Sequence, residues 1–314
     1  LKKIALFIAL SILLLYIADI LYTYLLRRDP ANKAAWAMQH PAKNLDHLFL
    51  GNSRSLALAR TGEWADSSNK KMYNLGMDGS NLMQQYFLLY HFYKAGNKTN
   101  YIHLQLDPWG LQLKPSNYFR TWTFLPFIND DTIQQNLKAV YGKRTYLWRY
   151  VPFYRYAEFN ARLGMVSALN LFNPVAKKVY NSTGDLQAVS EKVGNLNKIR
   201  NKEVSRIKSL PINLAYIERM ISLATQHGSK VHIYTAPVVT QYYSLYSNTD
   251  SVIQQQILPL CQKYHCTYDN YSIQPWSSDT TYFYDHHHMN KKGLKLYSKL
   301  WLDYISKCEA LVNP

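Results

Sequence analysis

Leu48-Phe49-Leu50-Gly51-Asn52-Ser53-Arg54-Ser55 is the stretch on which the reading of this chain turns. It closes an apolar run, Leu45 to Leu50, with hydrophobic residues on both faces, the pattern of a strand buried in a parallel sheet. A glycine and a small polar residue stop the strand, and the sequence predicts a helix from Ser55 to Arg60. Ser53 then falls on a sharp strand-to-helix turn. A hydroxyl there stands clear of the sheet, beside helix N-terminal amides able to stabilise an oxyanion. By itself the octet also fits a serine that only caps the next helix.

Downstream, strand and helix signals alternate. Lys71 to Leu75 and Tyr101 to Leu106 read as strands, the second halted by Asp107-Pro108, with an aromatic-rich amphipathic helix from Leu82 to Ala95 between them. Asn213 to His227 reads as a helix ended by Gly228, and Val231 to Ala236 as a strand ended by Pro237. Ile253 to Tyr264 reads as a helix and Cys266 to Tyr268 as a last short strand. This alternation predicts an α/β fold, a parallel sheet with helices on both faces. Sites in such sheets gather at the carboxyl ends of strands. Ser53, Gly79 and Asp107 each follow a predicted strand, so the pattern assigns them to one rim.

The far end of the chain supplies what a serine needs. Tyr284-Asp285-His286-His287-His288-Met289-Asn290-Lys291-Lys292-Gly293 leads into a final helix predicted over Lys292 to Lys307. An acid three residues before a histidine, on the loop entering that helix, offers a general base together with the carboxylate that orients it. Three consecutive histidines also invite a metal. Adjacent side chains point in different directions, however, and no second ligand cluster is evident, so no metal is expected.

A serine after the first strand and an Asp-x-x-His before the last helix resemble the SGNH (GDSL-like) hydrolase superfamily. Gly51-Asn52-Ser53 stands for its first block, with Asn52 where Asp is commonest, and Asp285-x-x-His288 stands for its last. Asn74-Leu75-Gly76-Met77-Asp78-Gly79 looks like the second block. The third block, normally Gly-x-Asn-Asp, is not matched, and Leu104-Gln105-Leu106-Asp107-Pro108-Trp109 stands in its place. The resemblance implies a three-layer, flavodoxin-like parallel sheet of the SGNH type and no cofactor. It makes Ser53 the nucleophile, His288 the base and Asp285 its orienting acid, with the backbone N–H groups of Ser53 and Gly79 holding the oxyanion. Asn52 and Asp107 fall on the rim. An ionised Asp107 would repel an oxyanion, which leaves three readings: another group replaces the missing Asn, Asp107 is structural, or the chemistry departs from that of ordinary esterases.

The chain opens with Lys2-Lys3, an apolar run from Ile4 to Leu26 whose one charge is Asp19, and Arg27-Arg28. The run is long enough to cross a hydrocarbon core of about 30 Å, too long for a signal-peptide core, and lacks a small-residue cleavage site, so residues 1–28 are expected to be an uncleaved transmembrane anchor. Two lysines before it and two arginines after it leave the positive-inside rule tied. Asp19 reads either as a carboxylate near the headgroups or as a contact for a multi-pass membrane partner. Residues 29–44 read as a polar linker with a helical turn or two, and 45–314 as one α/β domain. That domain carries a mostly helical insertion at about 110–210, rich in Tyr, Trp and Arg. Segments such as Tyr146-Leu147-Trp148-Arg149-Tyr150 and Phe153-Tyr154-Arg155-Tyr156 suit a lid, a membrane-contacting face or a sugar platform; beside an anchor they argue against nucleic acid. The net charge of +16 favours anionic neighbours such as phospholipid headgroups or an acidic glycan or lipid. Cys261, Cys266 and Cys308 are too few for a disulfide scaffold; Cys261 and Cys266 either close a small bridge or stay reduced and buried.

Anchor, serine turn and Asp-Pro after the third strand together look like the membrane-anchored branch that includes the alginate O-acetylation and D-alanyl-lipoteichoic acid transfer proteins. That resemblance implies a serine-dependent O-acyltransferase or esterase acting on envelope glycan or lipid acyl esters. Its domain would lie on the periplasmic side of a bacterial inner membrane, beside a multi-pass O-acyltransferase. The alternative is an inactive SGNH-like binding partner of such a membrane enzyme.

Overall fold

The computed structural model describes residues 1–29, 31–39, 44–117, 119–158, 166–167, 180, 183–186, 190–194 and 202–310. In chain order the elements are α1 (Lys2–Arg28), α2 (Lys33–Gln39), β1 (Asn44–Leu50), α3 (Ser53–Leu58), α4 (Thr61–Ser68), β2 (Met72–Asn74), α5 (Leu82–Lys94) and β3 (Lys98–Gln105). Then come α6 (Asp131–Tyr141), α7 (Arg144–Tyr150), α8 (Tyr154–Glu158), α9 (Pro211–Gln226), β4 (Lys230–Thr235), β5 (Thr267–Asn270) and α10 (Lys291–Ala310), with short helical turns between them. The chain divides into two compact units, residues 1–39 with 115–179 and residues 40–114 with 180–314. The tract around 110–210 is thus shared between the two, and part of it lies outside the described residues.

In the second unit five strands form one sheet in the order β2-β1-β3-β4-β5, and every neighbouring pair is parallel. The expected α/β class and parallel sheet are present. From β1 the chain steps first to β2 on one side and then back past β1 to β3, β4 and β5 on the other. The reversal sets a topological switch point between the carboxyl ends of β1 and β3, the position where such sheets hold ligands.

Two helices differ from the sequence reading. The helix after β1 begins at Ser53, not Ser55, because the Asn52 side chain caps it by accepting from the Arg54 N–H at 2.9 Å. The helix expected over Ile253 to Tyr264 is present but not α-helical throughout: Ile253–Ile257 form π-helical turns that run on into an α-helix from Leu258 to Tyr264. Pro259 accounts for the π-helical turns, since it has no N–H to continue the α-helical ladder and its ring crowds the preceding turn.

One face of the sheet carries an aromatic core. Phe49, Trp64, Tyr234, Tyr297 and Trp301 are buried together, bringing β1, α4, β4 and α10 into one cluster. Alternation along parallel strands adds a row of histidines to that face, since the register sets Phe49 opposite His103 and His103 opposite His232. His47 Nδ1 lies 2.9 Å from His103 Nε2, His103 Nδ1 3.2 Å from His232 Nδ1, and His232 Nε2 3.0 Å from Asp269 Oδ2. Tyr101 stacks on His47, and Tyr304 on His232. Burial holds His103 well below its usual pKa, with His47 and His232 adding to the effect. Burial also lowers His232, although its bond to Asp269 pulls the other way. Nearby, Cys261 and Cys266 are free thiols, the first buried; the Cys308 side chain lies outside the described residues.

In the first unit α1 is apolar and exposed on every side through Ile17, and it is long enough to cross a membrane. Its second half is packed. Asp19 accepts from Arg155 Nη2 at 2.6 Å and from the Phe153 N–H at 3.0 Å. Thr23 bonds Tyr156 at 2.7 Å, and Arg27 donates to the Pro126 carbonyl. Asp19 therefore has its counter-charge within its own unit, and the chemical reason for seeking that charge on another protein falls away.

His103 and His232 bind protons less readily in the folded chain than in the unfolded chain, which takes them up below about pH 6.5. Stability is expected to be fully present above that pH and to fall as the pH drops toward the folded values, by at most ~1.4 kcal/mol per pH unit for each histidine. Urea unfolding between pH 7 and pH 5 measures the slope, and His103→Gln should flatten it; an unchanged slope would remove His103 from this account.

Candidate active site

The site is built at the end of β1. Gly51 has no room for a side chain: a Cβ there would come 2.6 Å from the Ser55 Cβ and 2.8 Å from the Gln105 Cβ. That close approach lets the chain turn at once from β1 into α3. Asn52 caps the turn through its oxygen, while its Nδ2 donates to Asp107 Oδ2 at 2.8 Å. Ser53, half-buried, follows as the first helical residue, and its Oγ lies 2.8 Å from His288 Nε2.

His288 comes from a tight turn closed by the Tyr284 N–H donating to the His288 carbonyl at 2.8 Å and by a bridge between Phe283 and Met289. Within it Asp285 Oδ1 accepts the backbone N–H groups of His287 and His288 at 2.9 and 2.8 Å, and Oδ2 lies 2.9 Å from His288 Nδ1. Burial pushes the Asp285 carboxyl up, but the His288 hydrogen bond, the neighbouring imidazoles and the backbone amide outweigh it and hold the carboxyl well below its usual range. An ionised carboxylate only accepts, so the proton of a neutral His288 sits on Nδ1 and leaves Nε2 free to accept from Ser53. Asn290 starts α10 by capping the Lys292 and Gly293 N–H groups at 3.0 and 3.1 Å, which ties this turn to a long, anchored helix.

The segment with Gly79 is tied to the same turn. The Met77 N–H and the Ser80 hydroxyl donate to the Gly51 carbonyl at 3.1 and 3.2 Å. Gly79 has a φ of +62°, in the region that favours glycine. Among the described residues, neither the Ser53 nor the Gly79 amide donates to a protein acceptor.

Asp107 follows the end of β3, and both of its oxygens are engaged by neighbouring side chains. Arg54, 1% exposed, pairs with Oδ1, to which Gln105 Nε2 also donates at 2.7 Å. Arg54 further donates to the Ala236 and Pro237 carbonyls at the end of β4, and its guanidinium lies 5.4 Å from the centre of the Trp109 ring. Asp107 is thus a neutralised junction holding Asn52, Arg54 and Gln105 together. Sequence reasoning passed over Arg54 and Gln105. The available signal was a cation directly after the serine and a polar position in the alternating strand that ends at Leu106.

Asp285, His286 and His287 offer donor atoms within 4.8 Å of one another, as a metal site would. Both Asp285 oxygens are already engaged, so an ion there would compete with His288 for the carboxylate. Burial lowers the pKa of both His286 and His287, His287 the further.

The chain matches no protein-family model and, at a significant level, no curated protein.

Removing one member of a buried pair leaves an uncompensated charge, so Arg54→Met is expected to lower stability by ~3–5 kcal/mol. Joining it to Asp107→Asn should cost clearly less than the sum of the single changes. Urea unfolding of the four proteins measures this coupling, and additive losses would show that the two groups act separately.

Proposed function

We propose that this chain is a serine-dependent acyl-transfer enzyme of the SGNH type. The observation that carries this reading is one hydrogen-bonded line: Ser53 Oγ to His288 Nε2 at 2.8 Å, and His288 Nδ1 to Asp285 Oδ2 at 2.9 Å. Ser53 lies more than two hundred residues from the other two in sequence, and the three meet at the carboxyl end of β1. The strand order and the blocks at Gly51-Asn52-Ser53 and Asp285-x-x-His288 support the SGNH assignment, with its three-layer, flavodoxin-like arrangement.

His288 takes the Ser53 proton as the hydroxyl attacks an acyl carbonyl, and Asp285 stabilises the imidazolium that forms. The amides of Ser53 and Gly79 receive the oxyanion; each such donor is worth ~100- to 1000-fold in rate. The tetrahedral intermediate collapses as His288 returns the proton to the leaving alkoxide, which leaves an acyl-Ser53. Attack by an alcohol of a glycan or lipid completes transfer, and attack by water completes hydrolysis. An apolar helix able to anchor in a membrane and a net charge of +16 support an envelope setting, with an anionic glycan or lipid as acceptor on the periplasmic side and a multi-pass O-acyltransferase as donor.

One observation favours a second reading. At the place of the family's third block, Asp107 is bound up with Arg54, Asn52 and Gln105 and offers no side-chain donor to an oxyanion. On that reading the chain is an inactive partner that holds an acyl donor or acceptor for a membrane acyltransferase.

Reaction with a fluorophosphonate probe separates the two. Covalent labelling of Ser53, lost in Ser53→Ala, is expected; an unlabelled serine in the folded chain would favour the inactive partner. Ser53→Ala and His288→Ala should each lower turnover of an aryl acetate by ~1000-fold or more, and Asp285→Asn should lower kcat by ~10,000-fold by holding the wrong tautomer. In the presence of an acidic glycan the acyl group should pass mainly to the glycan; release mainly as free acid would make the protein an esterase.

A further inference from the structure

We infer that α7 and the turn that follows it are a membrane-embedded collar, seated in an anionic lipid leaflet beside the second half of α1. The inference concerns the first unit alone and does not depend on what Ser53 does. A hydrocarbon core of about 30 Å takes about 20 helical residues. Counted from Ile4, just inside the Lys2-Lys3 pair, such a span ends near Thr23. Asp19 and Tyr22 are therefore at bilayer depth. These are the positions where the unit closes on the helix.

Asp19 is held by Arg155 and by the Phe153 amide, and the Tyr22 ring meets the rings of Phe153 and Tyr156 at 4.9 and 5.8 Å. Phe153 has a φ of +63°, a costly conformation for a bulky residue, and its amide bond to Asp19 helps to hold it. The chain from Val151 to Tyr156 is thus fastened to α1 at a level where there is no bulk water. What it presents outward suits that level. Tyr146, Leu147, Tyr150 and Val151 are all large and exposed, Tyr150 by 63%. Tyrosine at the headgroup boundary and leucine or valine just below it match a bilayer interface. Lys143 is exposed next to α7 and is drawn to anionic headgroups, while Arg144 and Arg149 pair with Glu158 and Asp131. The arrangement also accounts for an acid in an apolar helix: Asp19 is a latch that fixes the collar's depth, paired with Arg155 rather than left alone in lipid.

The test uses the full wild-type chain in nanodiscs of phosphatidylcholine and phosphatidylglycerol, with a diazirine on the phospholipid acyl chains. Photolysis and peptide mapping should find lipid adducts on α1 and also between Tyr146 and Val151. Adducts confined to α1 would overturn the collar. Replacing phosphatidylglycerol with phosphatidylcholine should lower the collar adducts about fivefold or more, the worth of one basic residue near an anionic surface, while sparing those on α1. An equal yield in both lipids would overturn the anionic part of the inference. In Asp19→Asn, which keeps the size of the side chain and removes its charge, collar adducts should fall relative to those on α1; an unchanged ratio would show that Asp19 does not set the depth.

Discussion

The buried pair of Arg54 and Asp107 is the junction on which the rim of the sheet depends. Arg54 comes from the turn after β1, Asp107 from the end of β3, and the carbonyls that complete the guanidinium's shell come from the end of β4. Three strand ends are thus tied at one point, beside the place where the strand order reverses. A charge taken out of water costs several kcal/mol unless its partner and its hydrogen bonds are in place. Here Asp107 also accepts from Asn52 and Gln105, so its lone pairs are used on both oxygens. The geometry of Asn52, and through it the start of α3 at Ser53, follows from that satisfaction.

A second constraint acts from the opposite end of the chain. Asp285 is shaped by its own turn: two backbone amides occupy one oxygen and His288 takes the other. The imidazole is therefore aimed before it meets Ser53. Rigidity comes from α10, capped by Asn290 and carrying Tyr297 and Trp301 into the aromatic core against Phe49 and Tyr234. The packing that buries α10 is thus also what brings His288 to the end of β1. Stability and site geometry share one set of contacts, and the histidine row beside Trp301 makes that packing sensitive to acid.

The first unit solves a different problem with similar means. An acid within an apolar helix is costly unless a counter-charge reaches it, and Arg155, itself 5% exposed, supplies one. These two ion pairs, Arg54 with Asp107 and Asp19 with Arg155, join segments distant in sequence. In each, the charge that looks misplaced in the sequence is the one that fixes a long-range contact.

Much of the sheet was legible in the sequence, because strand and helix periodicity is a local property of the chain. The runs ending at Leu50, Leu106 and Ala236 each marked a strand to within three residues, and Asp285-x-x-His288 was visible because its acid and base lie on one short turn. Local cues also missed in local ways: the Asn52 cap moved the start of α3, and Pro259 goes with π-helical turns in a helix read as regular. What no local pattern contained was pairing across the chain. That Ser53 and His288 would stand 2.8 Å apart, that Asp107 would find Arg54, and that Asp19 would find Arg155 depends on which strands neighbour one another and which helices pack together. Those choices are made by the burial of the whole core and by the need of each buried charge for a partner, and only the tertiary structure satisfies them together.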